Sequence, residues 1–120
     1  EAAIVGKSVR DISVAIEAAT DQKKYGIVKS LVGHGVGHAV HESPNVPNYV
    51  SKRFPYVELQ TGMCLAIEPM LTLGGEEVGT GPDGWTIVTL DKSWAAHFEV
   101  TIAITESGTE ILTPQPHISL

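Results

Sequence analysis

The sequence predicts an α+β domain in which a single amphipathic helix is followed by a mostly antiparallel, curved sheet. Apolar residues recur at helical spacing in one place, at Val9, Ile12, Ile16 and Ala19. Beyond Tyr25 the apolar stretches are short and bounded by glycine, proline or asparagine, the pattern of strands and turns. No internal repeat, low-complexity segment or linker divides the 120 residues, so residues 1–120 form one domain or part of one.

Composition narrows the function classes. Eight basic against fourteen acidic residues give a net charge of -6, which argues against nucleic acid and against anionic membrane surfaces as partners. No apolar run approaches the roughly 20 residues of a membrane-spanning helix, and the first residues lack a signal-peptide pattern. The single cysteine, Cys64, cannot form an internal disulfide and fits a reducing, cytoplasmic setting. The chain opens on glutamate, so a processed chain or a piece of something longer is expected.

Ser8 followed three residues later by Asp11 reads as a capping box. The helix behind it should run to about Tyr25, where Gly26 stops it. Residues 27–32 form a short strand that delivers the chain into Gly33-His34-Gly35-Val36-Gly37-His38-Ala39-Val40-His41-Glu42, where three histidines stand among three glycines. Alternate glycines oppose a helix and let the backbone approach a ligand or another strand closely, so a glycine-rich turn is expected. Residues 42–49, with Pro44 and Pro47, read as a loop lining a rim. Residues 62–71 read as a buried strand, 81–84 as a turn, and 85–90 as an arm of a hairpin. In the strand expected at 96–104, alternation sets Phe98, Val100, Ile102 and Ile104 on one face and His97, Glu99 and Thr101 on the other. A turn at 106–109, a closing strand at 110–113 and an irregular tail from Pro114 complete the chain.

The chemistry gathers on histidine and glutamate. Glu68 sits in the apolar stretch 62–71 with no basic neighbour in sequence, and an unpartnered buried carboxylate is costly, so a cation or hydrogen-bond donors should meet it from elsewhere in the fold. A histidine-rich segment and two carboxylates, each on a different element, is an arrangement that binds zinc, manganese, iron or cobalt; a structural zinc site would use several cysteines. Such a metal lowers the pKa of water and polarises a carbonyl, which suits hydrolysis. By spacing alone, His34, His38 and His41 could equally form a three-histidine zinc site with neither glutamate involved.

Four motifs in register carry a resemblance. Gly33-His34-Gly35-Val36-Gly37 with His41-Glu42-Ser43-Pro44, Gly62-Met63 with Ile67-Glu68-Pro69-Met70, Asp83-Gly84-Trp85-Thr86, and Phe98-Glu99-Val100-Thr101 resemble the type I methionine aminopeptidases, of the creatinase or pita-bread fold. The likeness runs from the helix near Ser8 to Thr113 and implies the C-terminal half of that fold. It implies His34, Glu68 and Glu99 as ligands of a pair of divalent metals, with Glu99 bridging them and Glu68 as the base acting on the bridging water. It places His41 against the substrate's peptide group and Trp85 in the methionine pocket, with Val40 where many relatives carry a bulky aromatic. Two further departures stand beside Glu99, where the family usually has glutamine two residues before and histidine after, and this chain has His97 and Val100. His38 stands where many relatives have arginine, and reads as exposed or behind the ligands.

The family completes its centre with two aspartates from a preceding half, and Asp11, Asp21, Asp83 and Asp91 do not replace them. The resemblance therefore implies three of five ligands here, fewer or no bound metals in the isolated chain, exposed apolar surface, and no activity without the N-terminal half. The expected reaction is hydrolytic removal of N-terminal methionine from nascent chains. An Xaa-Pro aminopeptidase or prolidase-like hydrolase shares the ligands, and a peptidase-like peptide-binding module without chemistry is the alternative outside the enzymes.

Overall fold

A computed structural model of the chain describes residues 1–114. Helix α1 spans Val9–Ala19, and the capping box that opens it is complete. Asp11 Oδ2 accepts from the Ser8 amide at 2.7 Å and from its hydroxyl at 2.6 Å, while the Asp11 amide donates back to Ser8 Oγ at 3.4 Å. These bonds, the one from the Ser8 side chain foremost, hold the Asp11 carboxyl below its ordinary range. The buried face of α1, Val9 and Ile12 with Ile16 behind them, packs on Val46, Leu59, Leu65, Ile102 and Ile104.

The helix stops at Ala19, short of the expected Tyr25. Side-chain oxygens divert the backbone there: the Thr20 hydroxyl donates back to the Ile16 carbonyl at 2.9 Å, and the Asp21 carboxylate accepts from the Lys23 amide, while the Asp21 backbone carbonyl closes a turn by accepting from the amides of Lys24 and Tyr25. Gly26 falls inside the next strand instead of ending the helix.

Ten strands follow: β1 Gly26–Ile27, β2 Gly33–Gly35, β3 Glu42–Val46, β4 Cys64–Ile67, β5 Met70–Thr72, β6 Val78–Thr80, β7 Ile87–Thr89, β8 Ala95–His97, β9 Val100–Thr105 and β10 Gly108–Ile111. A five-stranded sheet has the order β10-β9-β4-β2-β3, a three-stranded sheet the order β1-β5-β8, and β6 and β7 form a separate hairpin. Every pairing is antiparallel. The orders β1-β5-β8 and β2-β4-β9 correspond, so three extended runs pass from one sheet to the other side by side. Each run bends as it crosses. Pro69 has no amide to continue the ladder after β4, which breaks the run at Glu68-Pro69, and a second break lies at Phe98-Glu99 between β8 and β9. The curvature expected of the sheet resides in these breaks.

Several expectations are corrected. Residues 33–35 are not a turn but the strand β2, held between β3 and β4. A Cβ on Gly33 would stand closer than 3.0 Å to the Ala66 carbonyl oxygen, and one on Gly35 equally close to that of Ser43, so the alternate glycines are what lets three backbones lie together. Residues 42–46, read as a loop because of Pro44, form the edge strand β3, where a missing amide breaks no sheet ladder. The segment also reaches the core rather than a rim, since Val46 and Asn48 are fully buried. The strand read at 27–32 shortens to β1, and that at 62–71 divides into β4 and β5. The arm expected from Trp85 begins at Ile87. Ile102 and Ile104 do face the core, but Phe98 lies at the bend and is 56% exposed. The closing strand begins two residues early, at Gly108, and the tail beyond Pro114 lies outside the described residues.

Apolar side chains expected to be uncovered are indeed so around the hairpin and β8, including Ile87, Val88, Leu90 and Trp94. Among the described residues no helix is long and apolar enough to cross a membrane.

Candidate metal centre

The bends bring the polar groups together. His34 sits at the middle of β2, on the run that continues from β1; Glu68 occupies the break between β4 and β5, and Glu99 the break between β8 and β9. One ligand atom from each of His34, Glu68 and Glu99 lies within 4.8 Å of the others. Among the described residues this is the one such group of histidine, cysteine and carboxylate side chains. His38 is exposed and outside it, so the three-histidine zinc site is not formed.

The His34 ring is oriented by its own strand. Its Nδ1 lies 2.9 Å from the Gly35 carbonyl oxygen, and since a carbonyl only accepts, Nδ1 carries the proton. Nε2 is thereby turned toward Glu68 Oε1 at 3.3 Å. In a neutral ring this sets a bare nitrogen lone pair against a carboxylate oxygen, an arrangement that a second proton or a metal cation makes favourable. Two donors about 2.1 Å from one ion stand about 3.0 Å apart in octahedral and about 3.4 Å in tetrahedral geometry. The 3.3 Å separation fits that span. Imidazole and carboxylate are also the donor types that divalent first-row metals take.

Glu68 has the partners that its low exposure demands. Its side chain is 13% exposed, with Oε1 on His34 and Oε2 3.2 Å from His97 Nε2. Its backbone carbonyl accepts from Asn48 Nδ2 at 3.1 Å. Glu99, by contrast, is exposed. Asn48 escaped the reading from sequence, and so did the meeting of His97 with Glu68. Asn48 lay in a stretch taken for a loop, and alternation set His97 beside Glu99, on a strand that in fact bends between them.

His34 and Glu68 of this group line a cleft of about 490 Å³. His34, His41, Glu68 and His97 form its polar end, and Val28, Met70, Val78, Ile87 and Ala96 are among its apolar walls. The hairpin wall is tied down by Lys29, whose ammonium meets Glu76 at 2.7 Å. That contact raises the Lys29 pKa. His41 stacks on His34 with ring centroids 4.1 Å apart and a 46° tilt. Val40 and Trp85 do not enter: they are 74% and 87% exposed and line no part of the cleft. Trp85 hangs from a loop organised by Asp83, whose carboxylate accepts from the Thr86 hydroxyl, from the Trp85 amide at 3.0 Å and from the Thr86 amide at 2.8 Å. Those bonds, the hydroxyl first, lower the Asp83 pKa to about 2.

The model of metallopeptidase family M24 matches residues 1–106. This chain belongs to that family. Its M24 relatives include the methionine aminopeptidase of Treponema pallidum, 49% identical over 108 residues, which cover 90% of this chain and 42% of that protein. Methionine aminopeptidase 1 of Bacillus subtilis is 46% identical over 109 residues, 90% of this chain and 43% of its own length. Among solved M24 structures, the methionine aminopeptidase of Thermotoga maritima aligns with a TM-score of 0.84 at 45% identity, covering 92% of this chain and 44% of that one. The X-Pro aminopeptidase of the same organism, at 23% identity and a TM-score of 0.62, shares the fold. The chain therefore spans under half the length of the M24 proteins it matches, and what it holds is half of a pita-bread fold.

Proposed function

We propose that this chain is the C-terminal part of the catalytic domain of a methionine aminopeptidase, acting in the cytoplasm to remove N-terminal methionine from nascent chains by hydrolysis. The observation that carries this reading is the convergence of His34, Glu68 and Glu99, the first two of which line an apolar cleft. The three side chains are donors for divalent metal, and the cleft offers a wall suited to an uncharged, flexible side chain such as methionine.

His34, Glu68 and Glu99 would hold divalent metal, with the remaining ligands supplied by two aspartates from an N-terminal half. Bound cobalt, manganese, iron or zinc would supply Lewis acidity toward the scissile carbonyl and lower the pKa of water. Glu68 would take the proton from the attacking water, a role for which its two oxygens are already directed by His34 and His97. His41, stacked on His34 at the polar end of the cleft, would hydrogen-bond the peptide group being cut. Val40 and Trp85 would complete the substrate pocket only once a covering half buries them.

The test is peptide hydrolysis by the complete polypeptide that contains this chain, loaded with cobalt or manganese. It should release methionine from Met-Ala and Met-Gly peptides, leave Ala-Pro peptides intact, and lose about 10²-fold or more of its rate in the Glu68→Gln variant. Intact Met-Ala peptides would overturn the reading; preferential cleavage of Ala-Pro would replace it with an X-Pro enzyme, and metal-independent peptide binding without cleavage with a binding module.

A further inference from the structure

We propose that His97 is a positioning residue for the metal centre: by donating a hydrogen bond from Nε2 to Glu68 Oε2, it fixes the carboxylate so that Oε1 faces the same point as His34 Nε2. The inference rests on the metal-centre reading above and adds a residue to it.

The geometry assigns the role. His97 lies at the end of β8, one strand away from Glu68 across the β5-β8 pairing, in which Met70 stands opposite His97. Its Nε2 is 3.2 Å from Glu68 Oε2, while the other carboxylate oxygen is 3.3 Å from His34 Nε2. The three-way convergence of ligand atoms includes His34, Glu68 and Glu99 and does not extend to His97, so His97 acts through Glu68 and not as a further ligand. A carboxylate at the end of the flexible glutamate side chain turns freely unless both oxygens are held. Here Asn48 Nδ2 pins the Glu68 backbone carbonyl at 3.1 Å, and His97 restrains the rotation that the backbone bond cannot. A ligating carboxylate that is itself hydrogen-bonded enters the metal-bound state with less rotational freedom left to lose.

His97 also has little to do for the fold. Its side chain is 48% exposed and belongs to no part of the hydrophobic core. Removing it should therefore leave the metal-free protein intact, which separates a positioning role from a structural one. Glutamine carries an amide N–H donor at nearly the same reach as imidazole Nε2, so it can make the same bond without the ring.

The experiment is calorimetric titration of Mn²⁺ into the complete polypeptide that contains this chain and into its His97→Ala and His97→Gln variants, with thermal melting of each in the metal-free form. The expected result is that H97A binds Mn²⁺ about 10- to 100-fold more weakly than wild type. Its metal-free melting temperature should stay unchanged, and H97Q should recover most of the affinity. Wild-type affinity in H97A overturns the proposal, as does an H97Q variant as weak as H97A. A drop in metal-free melting temperature that accounts for the lost affinity assigns His97 a structural role instead and likewise overturns it. A complete wild-type polypeptide that takes up no Mn²⁺ defeats the metal-centre reading first, and the proposal with it; Mn²⁺ uptake that is indifferent to His97 defeats the proposal alone.

Discussion

Replacing Gly33 by alanine tests the claim that His34 is carried on a strand packed too tightly for any side chain beside it. Two opposed effects set the size of the outcome. The substitution restricts the unfolded chain, which favours folding by about 0.4–1 kcal/mol when the native backbone accepts it. Against that, the new Cβ would lie closer than 3.0 Å to the Ala66 carbonyl oxygen in β4 and 3.1 Å from the Val46 carbonyl oxygen in β3. Both obstacles are backbone, and they flank β2 on opposite sides, so moving away from one drives the methyl into the other. Overpacking of this kind costs about 1–3 kcal/mol, and each ladder bond stretched to make room forfeits about 1 kcal/mol more. The clash wins, and G33A should be destabilised by about 1–3 kcal/mol after the offset. Urea denaturation of the chain measures this. Gly75→Ala is the control: its Cβ would meet only Asp91 Oδ2, at an ordinary 3.5 Å, so it should be neutral or stabilising by up to about 1 kcal/mol. A G33A variant as stable as wild type would refute the packing of β2 between β3 and β4.

Ser8→Ala removes both the acceptor for the Asp11 amide and the donor to its carboxylate. It should lower stability by about 0.5–2 kcal/mol in the same urea assay, and an unchanged midpoint would refute the capping box. The Asp83 loop supplies a pH test. Because the folded pKa of about 2 lies below the ordinary 3.8, the carboxylate's contribution is complete above that ordinary value and is lost as pH falls through about 2. The Trp85 and Thr86 amide resonances should titrate with a midpoint near 2 and stop doing so in Asp83→Asn; a midpoint near 3.8 would contradict the bonding described.

What could be read in the sequence was local. Ser8 and Asp11 announce the helix start because a capping box is complete within four residues, and Ile102 and Ile104 announce a core face because alternation needs only neighbours. The helix end was misplaced because Thr20 and Asp21 turn their own oxygens on the backbone, a competition that apolar periodicity does not register. Strand β3 was missed because Pro44 excludes an inner strand but not an edge, and edge position is a property of the assembled sheet. Glu68 was legible as a carboxylate in need of a partner. That His97 is among its partners was not, since their meeting depends on two bends that no spacing reveals. Val40 and Trp85 were assigned to the pocket by resemblance alone, and in this half of the fold both face outward.

Whether His34, Glu68 and Glu99 share one divalent cation is decided by anomalous diffraction at the manganese edge from crystals of the complete polypeptide grown with Mn²⁺. A peak is expected about 2.0–2.3 Å from His34 Nε2 and from an oxygen of each glutamate. A well-ordered crystal with no peak between these side chains, or with manganese bound only at other carboxylates, would contradict it.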